Sequence, residues 1–291
     1  MVLKRSRVIP ALYLALIAAL TAFSLVIVLP LNYDYYALSS GLTGHSRLTE
    51  RGASWTTTHS HSLNPEKTVL ILARSKPLDE GELEEILEFA ESGGLVVAYG
   101  SVDFVESLLR GIGFDTVFEG FTRDPVFSSG DPSRVLVNAS PWNTTIVLDT
   151  PYIIQVTGNS SMSEVVFTGY TSMFSYIDEN KNNLYDIGES IGEFPVIYAL
   201  RIGSGLIVIA CARGVFTNSV LGDNSYWLEE LNSGGRVIAL DQSEYRSNPL
   251  AYIKLLVLSP RGVSPIYITI VSILIVVVLY YVYLAERAKR L

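Results

Sequence analysis

The sequence predicts an α/β domain with a mostly parallel sheet, flanked by two transmembrane helices. Short, continuous apolar runs alternate with amphipathic stretches across the middle of the chain, the rhythm of buried strands joined by helices. Two long segments carry no charge, Val8 to Leu31 and Ile266 to Ala285. Of the 291 residues, 49% are hydrophobic and only 17% charged, against about a quarter charged in ordinary soluble domains.

Residues 1–7 read as a basic tail with Lys4, Arg5 and Arg7, and residues 8–31 as a first transmembrane helix. Each uncharged segment reaches the roughly 20 residues that cross a ~30 Å hydrocarbon core. A cleaved signal peptide is the alternative for the first, with Ala37-Leu38-Ser39 as a small-x-small site. Its apolar stretch exceeds the usual signal core, which favours an uncleaved anchor. Residues 264–285 read as the second transmembrane helix, and 286–291 as a tail holding Arg287, Lys289 and Arg290. Basic flanks stay in the cytoplasm. The expectation is a two-pass cell-membrane protein with both termini cytoplasmic and residues 33–263 forming an extracytoplasmic domain.

The chain has a net charge of −8 although both tails are basic, so the centre is strongly acidic. Phosphate repels such a surface, which argues against nucleic-acid partners. It suits solubility or divalent cations. A single cysteine, Cys211, excludes an internal disulfide, and its apolar surroundings, Leu206 to Ala212, read as core. Three glycosylation tripeptides begin at Asn138, Asn143 and Asn159 and would share one face.

Element by element, Ala53 to Thr58 offers a first strand, and Thr68 to Ala73 a strand buried on both faces. From Asp79 to Ser92, Leu83, Ile86, Leu87 and Ala90 recur at helical spacing, with acidic residues at the start and Gly93-Gly94 at the stop. Leu95 to Tyr99 is a second buried strand. Gly100-Ser101 turns into a helix through Val105, Leu108 and Leu109 that ends at Gly111. Short links between these elements imply parallel strands and right-handed crossovers. Residues 114–155 read as strands and loops of undetermined order. Strands resume at Val165–Tyr170, Val196–Arg201 and Gly205–Ala210, the last two joined by a hairpin at Gly203-Ser204-Gly205. A helix over Asn224–Leu231, capped by Asp223-Asn224, leads to a last strand at Arg236–Leu240. Pro249 to Leu258 then approaches the second membrane segment, with Tyr252 and Lys254 at the interface.

One constellation has specific spacing. Asp178, Asn180, Asn182, Asp186 and Glu189 occupy positions 1, 3, 5, 9 and 12 of a calcium-type loop, and Leu184 would offer its carbonyl at position 7. Calcium takes six to eight oxygens, and this spacing wraps a short loop around it. Position 6, usually glycine, is Asn183, a residue that tolerates the left-handed conformation. The flanks do not read as paired helices, so a calcium-held structural loop is expected rather than a helix-opening switch. A polar surface turn is the bland alternative. His59-Ser60-His61 reads as a loop, since His45 is the only other histidine. Ser101 reads as a helix N-cap, without the flanking glycines of a nucleophile elbow. Asp241-Gln242-Ser243-Glu244-Tyr245 reads as a solvated loop after the last strand.

The order of these motifs resembles the domain-of-unknown-function 4350 family of archaeal and bacterial membrane proteins. The resemblance rests on Pro77-Leu78-Asp79-Glu80-Gly81-Glu82-Leu83 before a helix ending at Gly93-Gly94, then the Asp178 loop and Gly192-Glu193-Phe194-Pro195. It continues through Gly203-Ser204-Gly205, Phe216-Thr217-Asn218, Gly222-Asp223-Asn224 and Asp241-Gln242-Ser243-Glu244. It implies a flavodoxin-like sheet similar to class I glutamine amidotransferases. An active amidotransferase would need a cysteine at the strand-to-helix elbow and a later histidine–glutamate pair. The elbow here is Tyr99-Gly100-Ser101, and no histidine follows His61. The resulting expectation is a membrane-anchored, non-catalytic binding or assembly module of an envelope or transporter-type complex, with calcium as its cofactor and the membrane and envelope proteins as partners. The alternative is a divergent hydrolase using Ser101 with Asp241 or Glu244.

Overall fold

Thr68–Arg74 and Leu95–Gly100 are buried at every position, as continuous β-branched and apolar runs demand when both faces of a sheet are covered. These are β2 and β3 of a computed structural model describing residues 29–57, 63–139, 142, 144–158 and 160–258, with 16–22, 24, 25, 275, 277, 280 and 281. In chain order the remaining strands are β1 (Ser54–Thr56), β4 (Asp115–Arg123), β5 (Arg134–Ala139), β6 (Thr144–Thr157) and β7 (Glu164–Tyr170). They are followed by β8 (Tyr176–Asp178), β9 (Pro195–Ile202), β10 (Gly205–Ala210), β11 (Ala212–Gly214) and β12 (Val237–Asp241). The helices are α1 (Ser46–Glu50), α2 (Glu80–Glu91), α3 (Val102–Gly111), α4 (Ser225–Leu231) and α5 (Pro249–Val257).

Seven strands form one sheet in the order β1-β12-β2-β3-β10-β9-β7. The first four pairings are parallel, while β10–β9 and β9–β7 are antiparallel. Five further strands make a separate antiparallel sheet, β11-β6-β4-β8 with β5 on β6. The expected single, mostly parallel sheet is therefore corrected to a mixed sheet joined to an antiparallel one. The physical reason lies in two places. Gly203 at φ 54 closes a tight β9–β10 hairpin, which forces antiparallel pairing. The 14-residue β6 is long enough to pair with β4, β5 and β11 at different points along its length.

Helices α2 and α3 cover one face of the mixed sheet. Ile86, Phe89 and Ala90 from α2 and Phe104, Val105, Leu108 and Leu109 from α3 pack with Leu70, Leu72, Val96, Ala98, Ile207 and Ile209. Leu83 and Leu87 lie partly buried at the margin of this core. Tyr152 and Ile154 of β6 join the same core, so the two sheets share it.

Asn32–Arg246 forms one compact unit, and α5 belongs to a second unit with the terminal segments. Among the described residues no helix is long and apolar enough to cross a membrane. This corrects the expected flanking transmembrane helices and the two-pass cell-membrane placement. Half of residues 8–31 and most of 264–285, on which that expectation was based, lie outside the described residues. Lys254, expected at an interface, is buried, and its Nζ donates to the Leu29 carbonyl.

Candidate functional site

The 178–189 loop leaves the end of β8 with Asp178 buried, residues 179–188 exposed and Glu189 half-buried. Asp178 Oδ1 accepts the Asn182 N–H at 3.0 Å, and Oδ2 accepts that of Asn183 at 3.2 Å. Asn180 Oδ1 accepts Asn182 N–H at 3.0 Å, and Asn182 Oδ1 accepts Leu184 N–H at 2.7 Å. The amide groups of Asn180 and Asn182 both donate to Asp186 Oδ2, at 2.5 and 2.8 Å. Glu189 reaches back to accept the N–H groups of Asp186 and Glu179 at 2.9 and 3.0 Å. The loop thus draws all five ligand-type side chains into one network. Asn183 takes the left-handed conformation at φ 61 that position 6 requires, and Lys181 does so at φ 62.

Arg123 of β4 holds the loop root. Its Nε lies 3.3 Å from Asp178 Oδ2 and donates to Asn183 Oδ1 at 2.7 Å. Sequence reasoning missed this partner, because it stands far from the loop in the chain and only the β4–β8 pairing brings it near. Among the described residues, no three His, Cys, Asp or Glu side chains form a group that could hold a metal. The carboxylates of Asp178, Asp186 and Glu189 are held by donors within the loop and, at Asp178, by Arg123. A calcium ion would have to recruit the asparagine oxygens and the Leu184 carbonyl beside the carboxylates. It would also have to replace the amide donors now on Asp186.

The second candidate lies at the carboxyl edge of the parallel strands, where α/β sheets present ligand groups. Ser101 caps α3, accepting the Phe104 N–H at 3.2 Å, and its hydroxyl donates to the Ser75 carbonyl at 2.9 Å. Gly100 is required at this elbow. A Cβ there would sit 2.1 Å from the Arg74 carbonyl oxygen, at φ 154.

Asp241 and Glu244 do not face Ser101 as a base. Asp241 is buried, accepts from Ser243 Oγ at 2.9 Å and lies 3.5 Å from Arg74 Nη1. Arg74 Nη2 is also held by both oxygens of Glu82, at 3.1 and 2.9 Å. Glu244 accepts the Ser75 N–H at 3.0 Å and the Ser75 hydroxyl. The stretch expected as a solvated loop is instead a buried clasp. Gln242 accepts the Ala37 N–H at 2.8 Å and donates to the Tyr35 carbonyl at 3.0 Å. Asn224, expected as a helix cap, makes no side-chain cap and instead bonds both Val147 backbone groups and the Val215 carbonyl.

His45, to which sequence reasoning gave no role, lies close to this elbow. It is fully buried, with Nε2 2.6 Å from the hydroxyl of Tyr99, next to the elbow. Burial pushes its imidazole down from 6.5 to about 4, against a smaller opposing pull from the Tyr35 backbone. Burial also pushes the Cys211 thiol up to about 12, so it is a neutral core group rather than a nucleophile. His59, His61, Asn143 and Asn159 lie outside the described residues, while Asn138 is exposed on β5.

These features define a mixed α/β domain with a strand-to-helix elbow that presents a capping serine. The chain belongs to the family described as domain of unknown function DUF4350, which it matches over residues 45–231. No curated protein matches it. Among solved structures it is similar to a ThuA-like protein from Bacteroides uniformis, at 13% identity and a TM-score of 0.33, covering 71% of this chain and 76% of that one. It is also similar to Gan42B, a GH42 β-galactosidase from G. stearothermophilus, at 13% identity and a TM-score of 0.34. That match covers 59% of this chain but only 22% of the galactosidase. A third likeness, to the exo-β-1,4-mannosidase Op5Man5 from Opitutaceae bacterium strain TAV5, has 11% identity and a TM-score of 0.28, covering 58% and 23% of the two chains.

Proposed function

We propose that the chain is a non-catalytic binding or assembly module of a larger protein complex, built on an amidotransferase-like frame that has lost its chemistry. The observation that supports this reading best is the state of Ser101. Its hydroxyl is spent on the Ser75 carbonyl and the Phe104 N–H. A nucleophilic serine needs a base within hydrogen-bond reach. Here Asp241 and Glu244 bind Arg74, Ser75 and Ser243 instead. A fluorophosphonate, which phosphonylates activated serines with loss of fluoride, should leave the full-length protein unlabelled, and capture of the intact protein should bring down defined partner subunits. Stoichiometric labelling that disappears in a Ser101→Ala variant would establish the hydrolase instead.

Within this module the 178–189 loop is a calcium-held structural element. Its support is the twelve-position spacing of Asp178, Asn180, Asn182, Leu184, Asp186 and Glu189, with Asn183 in the left-handed conformation at position 6. Two neutral ligands and a non-glycine turn place its affinity at the weak end, ~10⁻⁴–10⁻³ M. Calcium at ten times the dissociation constant then adds about 1.4 kcal/mol of stability. Thermal unfolding should shift upward with calcium, fall back with chelator, and respond to neither in a Glu189→Ala variant. Equal midpoints in all cases, with no heat of calcium binding, would refute the calcium role.

A further inference from the structure

A cavity of 290 Å³ opens at the amino-terminal edge of the parallel strands, at the opposite end of the sheet from the elbow. Leu95 begins β3 and Leu206 lies at the start of β10, and both line it. Its charged lining is wholly basic: Arg201 from β9 and Arg236, which leads into β12. This is unusual in a chain of net charge −8. By contrast, the 360 Å³ groove along α2 is lined by Glu80, Glu84, Glu88 and Glu91. Strands β12 and β9 stand four steps apart in the sheet, roughly 19 Å at the usual spacing. Both residues nonetheless line the same cavity.

The pairing of these cations leaves them usable. Arg201 meets Glu164 at 3.5 Å, with both side chains more than half exposed, a geometry that contributes little. Arg236 has no ion pair among the described residues. The remaining wall is built from the core outward. Phe216 stacks on buried Trp227 with ring centres 5.1 Å apart, and Trp227 contacts Trp142 at 5.6 Å. Trp142 in turn lines the cavity. Ser204 adds a hydroxyl, although it also donates to the Glu91 carbonyl at 2.9 Å.

We propose that this cavity binds a compact organic anion, a phosphate or carboxylate group held by Arg201 and Arg236 while the body of the ligand lies against Trp142. Guanidinium forks suit both anionic groups, and an aromatic wall suits a planar or sugar-like body. The volume fits the lower end of small-ligand sites, ~300 Å³. The site is separate from the calcium-type loop and does not depend on the proposed module function.

The test is titration of the full-length protein with adenosine 5′-monophosphate and with benzoate, each beside its neutral counterpart, adenosine or benzamide. Binding is read by tryptophan fluorescence and by calorimetry. At least one anion should bind saturably and at least tenfold more tightly than its neutral counterpart. The fluorescence response should vanish in Trp142→Phe. The Arg201→Gln and Arg236→Gln variants, with unfolding midpoints matching the parent, should each weaken binding at least fivefold. No saturable binding of either anion up to about 10 mM, where the binding free energy falls below about 3 kcal/mol, or equal binding by the double glutamine variant, would overturn the assignment.

Discussion

At the scale of single residues, His45 couples the fold to pH. Desolvation favours its neutral form, lowering it from 6.5 to about 4. An unfolded chain releases the ring to water, where it protonates near 6.5. Between these values the unfolded state binds more protons, so stability is fully present above pH 6.5 and falls as the solution is acidified toward pH 4. The difference corresponds to about 3 kcal/mol from this one group. Urea unfolding at several pH values should show that loss in the parent protein, and a His45→Phe variant should lose correspondingly less. Identical pH slopes would mean that His45 is not buried in its neutral form. The adjoining Tyr99 hydroxyl is held far above its usual range by burial. It therefore remains a neutral partner for the ring throughout this window.

At the scale of elements, α2 has the clearest local specification. Asp79 accepts the Glu82 N–H at 2.8 Å, and Glu82 accepts the Asp79 N–H at 3.2 Å, a reciprocal capping box. An Asp79→Ala change should cost about 1 kcal/mol without changing the slope of denaturant unfolding. A loss well above that would show that the residue supports more than its helix. Glu82 also grips Arg74, so Glu82→Ala should cost more than Asp79→Ala, because it leaves a buried guanidinium short of a partner. The Asp79–Ser92 stretch was legible because cap, apolar period and glycine stop agree within one short window. The strands β2, β3, β10 and β12 were legible for a related reason, their unbroken apolar runs. Residues 114–155 were not. Strand β4 follows no two-residue period, its exposed and buried positions running irregularly past a bulge between Phe118 and Gly120, and β6 carries Pro151 in mid-strand opposite Ala212, a residue that ordinarily argues against a central strand. Their pairing depends on long-range register that local pattern does not encode. In the same way, the spacing of the 178–189 loop could be read from the chain, whereas Arg123 and the clasp around Asp241 arise only from the assembled sheets.

At the scale of the whole unit, the two sheets are joined through buried tyrosines. Tyr152 of β6 donates to the carbonyls of Gly100 and Ser101, both at 3.1 Å, tying the antiparallel sheet to the elbow of the parallel one. Tyr198 of β9 donates to the Ile154 carbonyl at 2.7 Å, crossing between the sheets in the other direction. Tyr152 and Ile154 also sit in the core beneath α2 and α3. Neither sheet can therefore open without exposing the other's apolar face, and Asn32–Arg246 should unfold in one cooperative step. Fluorescence of Trp227, which lies in the core beside Phe216, and far-ultraviolet circular dichroism should give the same midpoint and slope. Removing the Tyr152 hydroxyl in a Tyr152→Phe variant should lower stability by about 1–3 kcal/mol, since the buried Gly100 carbonyl and the part-buried Ser101 carbonyl lose a donor, while the two probes remain coincident. Separate midpoints in the parent protein would mean that the antiparallel sheet is an independently folding unit. If the probes separated only in the variant, the Tyr152 bonds themselves would be what couples the two sheets.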